Sequence, residues 1–348
     1  MSARLATHVG GIALKNPLIA APAEHFIEPD GPLRALRAGA AAVVVKSTNE
    51  SEAARDQLDR AEYVALDAAW NPVPWGPDAP AAATIACRSG LTPEPFEVWL
   101  ERTAVLDRAA RAFDAYAVAS LILSELEPAV AMAQAIEAAG LRVIEFNIGT
   151  PYASQAARNA VSTVLDPARV GTIVAAIRGA VGIPLWVKLS GQSERVPELA
   201  RAAFEAGADS VTMAGRSLGL IPDLETQAPM LGTSLGIGGF WNLPLTCHWL
   251  ALTRASLGPE RPLVGTNGAQ SGLDLARMML AGAHAVAIAT PVMLRGFGLI
   301  EASLAELDAY LARKGATAAG IVGLAADRRK TFAEMPPRPG NWRHYVPA

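Results

Sequence analysis

The sequence predicts a closed barrel of eight parallel strands, each followed by a helix. Eight short apolar runs alternate with amphipathic segments along the 348 residues. The runs are continuous rather than alternating in polarity, which is typical of parallel strands covered on both faces. The alternation takes roughly 270 residues, close to the usual length of a (β/α)8 TIM barrel. A doubly wound open sheet is the alternative, but no Gly-x-Gly-x-x-Gly follows the first run.

The strands are justified one by one by their apolar composition. In chain order they are PLIAAPA (17–23), AAVVVK (41–46), YAVASLIL (116–123), VIEFNIG (143–149), PLWVKL (184–189), SVTMAG (210–215), PLVGTNG (262–268) and AVAIATP (285–291). Segments such as EPAVAMAQAIEAAG and SGLDLARMMLAGA lie between them. These have helical spacing and end near a glycine, as helices do.

One connection is much longer than the others. Residues 47–115 separate the second and third strands and contain the Pro- and Trp-rich WNPVPWGPDAP, then a stretch that reads as a helix. A long loop at a barrel mouth is typical of a lid or substrate wall. A surface excursion held by Trp70 and Trp75 is the alternative. We expect residues 1–348 to form a single domain, with 315–348 as an irregular tail.

Composition argues against several classes of function. The net charge is −3 and no long charged run occurs, so neither nucleic acid nor a membrane is expected as a partner. Cys87 and Cys247 are too few for a four-cysteine iron–sulfur cluster or a disulfide framework. The start, MSARLATHVGG, lacks the apolar core of a signal peptide, and no stretch is long enough to span a bilayer. The expected location is the cytoplasm.

The polar residues at the strand ends are the candidates for chemistry, because function in a barrel sits where the strands finish. They are Lys46, Asn147, Lys188, Gly215-Arg216, Asn267-Gly268 and Thr290. Only five lysines occur in the chain, and two of them end apolar strands. A buried lysine is costly unless it is paired or meets a charged ligand. A structural ion pair with a carboxylate such as Glu145 is the alternative.

Two further features belong to the same end of the barrel. Gly265 and Gly268 allow a ligand close to the backbone, and Ser271 with Asp274 predicts a helix cap. Together with the turn after the eighth strand they predict a phosphate site. Glu24 and His25 follow the first strand. His25 is expected to be a solvated or capping histidine, with a second proton donor as the alternative.

Several segments taken in order resemble one family. They are GGIALKNPLIAAPA, GAAAVVVKSTNES, IEFNIGTPYAS, IPLWVKLS, AGADSVTMAGRS, GIGGFWN and VGTNGAQSGLDLARMMLAGAHAVAIAT. Together they resemble the dihydroorotate dehydrogenase family, including the flavin-binding barrel of dihydropyrimidine dehydrogenase. The resemblance implies FMN at the barrel mouth and no metal. It implies contacts to the flavin from Ala21, Lys46, Ser47, Asn147, Lys188 and Gly215, and a phosphate site lined by Gly238, Gly239, Asn267, Gly268, Ala289 and Thr290.

The sequence departs from this family where substrate is handled. The family motif Asn-x-Ser-Cys-Pro-Asn, with Ser for Cys in one branch, becomes Asn-Ile-Gly-Thr-Pro-Tyr here. Thr150 therefore stands at the acid/base position; positioning of substrate is its alternative role. Tyr152 and Gly215 replace two substrate-binding amides, which argues against a dihydropyrimidine. Arg216 could bind a substrate carboxylate, with an ion pair as the alternative.

The remaining expectations concern the substrate and the partners. Asn71 in the long connection matches a substrate-binding asparagine. An apolar, aromatic pocket is suggested by Trp70, Trp75, Tyr152, Phe240 and Trp241, with core packing as the alternative for any one of them. The resemblance implies hydride transfer at a C–C or C=C bond next to a carbonyl, with Lys46 and Thr150 as catalytic residues. The substrate is expected to be small and cyclic or carboxylated. The electron partner would be diffusible, such as NAD(P)H or a quinone, and the chain a homodimer.

Four alternatives stay open. The substrate could be dihydroorotate or a dihydropyrimidine after all. The chain could be a non-redox phosphate-binding barrel, a lyase or isomerase, with Lys46 or Lys188 as its reactive lysine. It could be a degenerate, flavin-storing family member. Finally, NIGTP and AGRS echo the tRNA dihydrouridine synthases, although too few residues follow the eighth strand for their RNA-binding domain.

Overall fold

The computed structural model of the chain describes residues 2–149, 164–213, 215 and 217–347. Its strands are β1 (Thr7–Val9), β2 (Ile12–Leu14), β3 (Leu18–Ala20), β4 (Ala42–Val44), β5 (Glu62–Leu66), β6 (Thr84–Arg88), β7 (Tyr116–Ile122), β8 (Ile144–Asn147), β9 (Leu185–Lys188), β10 (Ser210–Met213), β11 (Ser217–Gly219), β12 (Leu235–Gly239), β13 (Leu263–Thr266) and β14 (Ala285–Ile288).

The α-helices lie between and after these strands. They are α1 (Asp30–Arg37), α2 (Glu52–Arg55), α3 (Phe96–Ala110), α4 (Leu126–Ala138), α5 (Pro167–Ala180), α6 (Val196–Glu205), α7 (Leu243–Leu257), α8 (Gly272–Leu280), α9 (Thr290–Arg295), α10 (Gly298–Lys314) and α11 (Ala318–Ile321). Helix α8 begins as the sequence predicts, since the Ser271 hydroxyl accepts a hydrogen bond from the Asp274 backbone N–H at 3.3 Å.

Eight strands close into a parallel barrel in chain order, β3, β4, β7, β8, β9, β10, β13 and β14, and β14 pairs back with β3. Each corresponds to one of the eight apolar runs, so the predicted (β/α)8 TIM barrel is confirmed. The register aligns the strand ends: Asn147 of β8 lies opposite Lys188 of β9. The two polar side chains therefore leave neighbouring strands at the same level of the barrel mouth.

Two apolar layers hold this arrangement together. The larger one packs between the strands and the surrounding helices. The smaller one fills the barrel interior, where Trp186, Val118 and Val264 meet side chains of the N-terminal hairpin β1–β2. The hairpin thus covers the barrel interior away from the carboxyl ends of the strands, which leaves those ends to form a site.

A second sheet lies outside the barrel, and the sequence analysis did not predict it. It is antiparallel, with strand order β11, β12, β6 and β5. Strands β5 and β6 come from the 47–115 connection, whereas β11 and β12 follow the sixth barrel strand. We call these four strands the mouth sheet. The stretch predicted as helical in this connection is confirmed as α3.

The last residues make few contacts with the barrel. Two short 3-10 helices, Phe332–Glu334 and Asn341–Tyr345, are the regular elements described there. Phe332 is 96% exposed. Within the described part of the chain, no helix combines the length and the apolar character that crossing a bilayer requires.

Candidate active site

A cavity of about 1010 Å³, counted out to its opening, lies where the barrel strands end and the mouth sheet begins. Eleven of the twelve predicted cofactor-binding residues line it: Ala21, Lys46, Ser47, Asn147, Lys188, Gly215, Gly238, Asn267, Gly268, Ala289 and Thr290. The structure therefore brings together residues from seven barrel strand ends and from the mouth sheet.

The other predicted site residues fall into two groups. Gly239 ends β12, and Asn71 is exposed, donating to the Asp67 carboxylate at 3.3 Å; neither is among the cavity-lining residues. Thr150, Tyr152 and Arg216 lie outside the described residues. Their predicted roles remain predictions.

Lys46 is held by a buried network with two other cavity-lining residues. Its Nζ lies 3.0 Å from Glu24 Oε1, and the Tyr63 hydroxyl donates a short hydrogen bond to Glu24 Oε2. Burial alone would raise the pKa of the Glu24 carboxyl, but the Lys46 charge and the hydrogen bonds bring it below its ordinary value. Glu24 therefore stays ionised beside the ammonium.

Lys188 has a carboxylate partner of its own. Its Nζ lies 3.6 Å from Glu145 Oε1, and the Glu145 side chain is 2% exposed. Glu145 is two residues before Asn147 on β8, so it points to the same side of the strand. The structural ion pair that the sequence left open is thus present for both lysines. Both ammonium groups nevertheless line the cavity, so pairing and ligand contact are compatible.

Asn147 is fixed by the turn that follows β8. Its Oδ1 accepts a hydrogen bond from the Gly149 backbone N–H at 3.0 Å. Gly149 has no room for a side chain, since a Cβ there would lie 2.4 Å from the Leu189 carbonyl carbon. Residue 149 thus packs directly against the segment after β9. This contact explains physically why glycine stands where the resembling family has serine.

The loops after β12 and β13 also approach each other closely. Asn267 and Gly268 both have positive φ, 71° and 117°. A Cβ on Gly268 would lie 2.4 Å from the Leu243 backbone N, at the start of α7. A Cβ on Gly238 would lie 2.6 Å from Asn267 Oδ1. Backbone atoms and a positive φ therefore require glycine at position 268, whereas at Gly238 a side chain would displace only the Asn267 amide. Both loops form part of the cavity wall.

Smaller polar contacts complete the wall. Ser47 Oγ lies 2.8 Å from Ser120 Oγ, so this hydroxyl is tied to β7. The indole N–H of buried Trp99 donates to the Lys46 carbonyl at 2.8 Å, which fixes the backbone under the ammonium. The end of β4 is thus held from two sides.

Two expectations drawn from single residues are wrong. The aromatic side chains Trp70, Trp75, Phe240 and Trp241 are 36–53% exposed and do not line the cavity. Tyr63 is the aromatic residue that lines it among the described residues, and Tyr152 lies outside them. His25 lies against Phe26 and Phe297 instead of solvent, and burial lowers its pKa to about 3. A neutral, enclosed imidazole cannot serve as a proton donor at neutral pH.

Sequence reasoning missed the contribution of the mouth sheet. Ile85, Cys87 and Ser89 alternate along and just beyond β6 and face the cavity, with Tyr63 paired opposite Cys87. The alternation of inward and outward residues in TIACRS was the available signal, but it is short. Nothing local in the sequence indicates that Tyr63 reaches Glu24.

The fold and the site define a class of protein: a barrel enzyme with a cofactor-sized, partly charged cavity at the strand ends. The family model described as dihydroorotate dehydrogenase matches residues 83–311, more than half of the chain. The chain belongs to the dihydroorotate dehydrogenase family. It is accordingly an oxidoreductase, and the cofactor of the family is FMN.

Individual relatives agree with this assignment. The chain is 27% identical to the catalytic subunit of dihydroorotate dehydrogenase B (NAD(+)) of Desulforudis audaxviator, over 90% of this chain and 95% of that one. Its match to the Saccharolobus solfataricus subunit of the same description is 31% identical and spans 53% of this chain and 61% of that relative. Dihydroorotate dehydrogenase A (fumarate) of Lactobacillus helveticus is 30% identical over 46% of this chain and 51% of its own length.

A solved structure supports the fold. DHODH of Eimeria tenella, determined in complex with ferulenol, superposes with a TM-score of 0.71 over 94% of this chain and 90% of that chain, at 15% identity. At this identity the likeness concerns the architecture alone.

The cavity residues fit FMN by their chemistry. Ammonium groups, an amide and a hydroxyl suit a polar, electron-accepting ring, and backbone N–H groups beside glycines suit a phosphate. Gly238 and Gly268 also expose the backbone of their loops to the cavity, which suits the close approach of a phosphate.

Proposed function

We propose that the chain is an FMN-dependent oxidoreductase that acts on a CH–CH bond next to a carbonyl. The single observation that carries the proposal is the cavity itself. Lys46, Lys188 and Asn147 face one space at the strand ends, and that space is bounded by the glycine loops around Gly238 and Gly268. Such a set is suited to a flat, phosphorylated, electron-accepting cofactor.

FMN, when bound, supplies the hydride acceptor or donor. The residues of the chain bind and orient the reacting groups. Lys188 would place a positive charge beside the cofactor and so favour a negatively charged reduced state. Glu145 holds that ammonium in place through the ion pair at 3.6 Å.

The roles of the substrate-binding residues are proposed from the positions at which the sequence departs from the family motifs. Thr150 would move the proton on the carbon next to the one that exchanges hydride. Tyr152 and Arg216 would contact substrate, Arg216 by binding a carboxylate if one is present. Without the two amides at positions 152 and 215, a pyrimidine ring would lose hydrogen bonds that select it. We therefore propose a small cyclic substrate other than a dihydropyrimidine.

The surroundings of the site are part of the proposal. The 47–115 connection would serve as a substrate wall, since Tyr63, Ile85, Cys87 and Ser89 from it line the cavity. Its exposed Asn71 would reach substrate only after the loop moves. The chain would be one domain, cytoplasmic and homodimeric, with a diffusible electron partner. The relatives are named for NAD(+) and fumarate as partners.

Reoxidation of the reduced protein tests this function. The FMN-loaded protein is reduced without oxygen and mixed with a series of cyclic enones, and flavin absorbance at its visible maximum is followed. We expect rapid reoxidation by at least one enone. A protein that loads no FMN, or whose reduced flavin is oxidised by none of the series, would contradict the proposal.

Thr150 is tested in the same assay. Thr150→Ala should slow reoxidation by the enone by about 100-fold, the lower end for a general acid, whereas Thr150→Ser should retain most of the rate. Reduction of the flavin by dithionite serves as the control, because it needs no proton relay. Equal rates for the alanine variant and the parent would remove Thr150 from the mechanism.

Dihydroorotate is the second candidate substrate. Three relatives of this chain are named dihydroorotate dehydrogenases, and these names favour dihydroorotate as the substrate. Dihydroorotate mixed with the oxidised protein would bleach the flavin if this alternative is correct, and it would leave the spectrum unchanged if the substituted amides exclude the pyrimidine ring.

A further inference from the structure

Glu24 is the one carboxylate among the described residues that line the cavity, and it sits against a catalytic candidate. Its Oε1 lies 3.0 Å from Lys46 Nζ, and the side chains of Lys46 and Glu24 are 6% and 18% exposed. The Gly90 backbone N–H donates to the same oxygen at 3.4 Å. The other oxygen accepts from the Tyr63 hydroxyl. Both oxygens are engaged, so the carboxylate is held in place.

This arrangement leaves Lys46 electrostatically neutralised. A substrate carboxylate that approached the ammonium would also approach the Glu24 carboxylate, and like charges at such distances repel strongly in a partly buried site. Lys188, the other cationic side chain among the described residues of the cavity wall, is balanced by Glu145 at 3.6 Å. Each of these two ammonium groups therefore has a carboxylate partner already.

We propose that Glu24 is a specificity residue that makes this cavity select an uncharged substrate, because its carboxylate occupies the ammonium that a substrate carboxylate would otherwise bind. The inference rests on the proposed function in that the cavity is the substrate site. The substrate class is an uncharged cyclic carbonyl compound.

Acetate and acetamide are the probes for a direct test, since they have the same shape and differ in charge. Their dissociation constants are measured at constant ionic strength from the change in flavin absorbance. The shift of the thermal unfolding midpoint provides the same comparison on protein without flavin. We expect the parent protein to bind acetate no more tightly than acetamide.

Glu24→Gln keeps the shape of the side chain and removes its charge. We expect this variant to bind acetate at least tenfold more tightly than the parent does, which is about 1.4 kcal/mol. Tyr63→Phe is the matched control, because it removes a hydrogen bond to Glu24 and leaves both charges; it should bind the two probes as the parent does. The double variant Glu24→Gln/Lys46→Met should lose this gain in acetate affinity, because the ammonium that binds acetate is gone.

Two results would overturn the proposal. One is a parent protein that already binds acetate tenfold more tightly than acetamide, a measurement that needs no variant to fold. The other is a folded Glu24→Gln protein with no gain for acetate. Failure of the proposed function is seen separately. A protein that reacts with no enone can still discriminate between the two probes, since the thermal shift does not depend on flavin or turnover.

Discussion

Gly149→Ser restores the residue of the resembling family motif, and we expect it to destabilise this protein. A Cβ at position 149 would lie 2.4 Å from the Leu189 carbonyl carbon, 2.5 Å from the Ser190 backbone N and 2.7 Å from the Leu189 carbonyl oxygen. All three are backbone atoms, which cannot rotate away. Overpacking of a core costs about 1–3 kcal/mol, and a contact of this kind belongs at the upper end.

The magnitude translates into a measurable change of the thermal midpoint. The entropy of unfolding for 348 residues is about 0.7 kcal/mol/K at the midpoint, so a loss of about 3 kcal/mol lowers it by about 4 °C. Differential scanning calorimetry on flavin-free protein measures this directly. Gly179→Ala is the control, because Gly179 lies in α5 with no atom within 4 Å of its Cβ position. Alanine there should leave the midpoint unchanged or raise it slightly.

A third variant separates the cause. Gly149→Ala places the same Cβ without the hydroxyl, so it should be nearly as unstable as Gly149→Ser. The reasoning is refuted if Gly149→Ala has the parent midpoint, or if only the serine variant is unstable, since the clash would then lie elsewhere than at Cβ.

Three further predictions concern the ion pair, a histidine and the tail. Lys188→Met should lower the free energy of unfolding of flavin-free protein by about 3–5 kcal/mol, because it leaves Glu145 buried and unpaired, and adding Glu145→Gln should recover most of this in urea titrations. In the folded protein His25 has a pKa of about 3 and stays neutral, whereas in the unfolded chain it has its usual pKa of 6.5 and takes up a proton as the pH falls below that value. The stability that neutral His25 contributes is therefore present above pH 6.5 and is lost as the pH falls toward 3. Between pH 7 and 5 the free energy of unfolding should fall by about 2 kcal/mol from this cause. A His25→Leu protein whose free energy of unfolding falls by as much would show that His25 is not the origin of the pH dependence. Deletion of 331–348, where Phe332 is almost fully exposed, should leave the calorimetric midpoint unchanged, and a fall of several degrees would show that the tail packs on the barrel.

The barrel could be predicted because its signals are local and repeated. Each parallel strand is buried on both faces, so its sequence is an unbroken apolar run, as in AVVV of β4. The lysines that end two of these runs stood out because lysine is rare here. Their common location follows from barrel topology alone, which brings all carboxyl strand ends to one rim.

The mouth sheet could not be predicted, because its signals are neither local nor repeated. Strand β12 reads LGIGG, and its place beside β6 depends on pairing between residues about 150 positions apart, Gly236 with Cys87 among them. No periodicity in a glycine-rich run signals such a partner. The Glu24–Tyr63 contact joins the turn after β3 to β5, 39 positions further along the chain, and no local pattern signals it. His25 was misread because its burial is decided by Phe297, far along the chain.

The assignment of the cavity to FMN is tested most directly by titrating flavin-free protein with FMN and with riboflavin. Binding is measured by the quenching of flavin fluorescence. We predict one FMN per chain and at least tenfold weaker binding of riboflavin, because riboflavin has no phosphate to meet the backbone N–H groups beside Gly268 and Thr290. Absence of saturable FMN binding, or equal affinity for the two flavins, would contradict the assignment of this cavity.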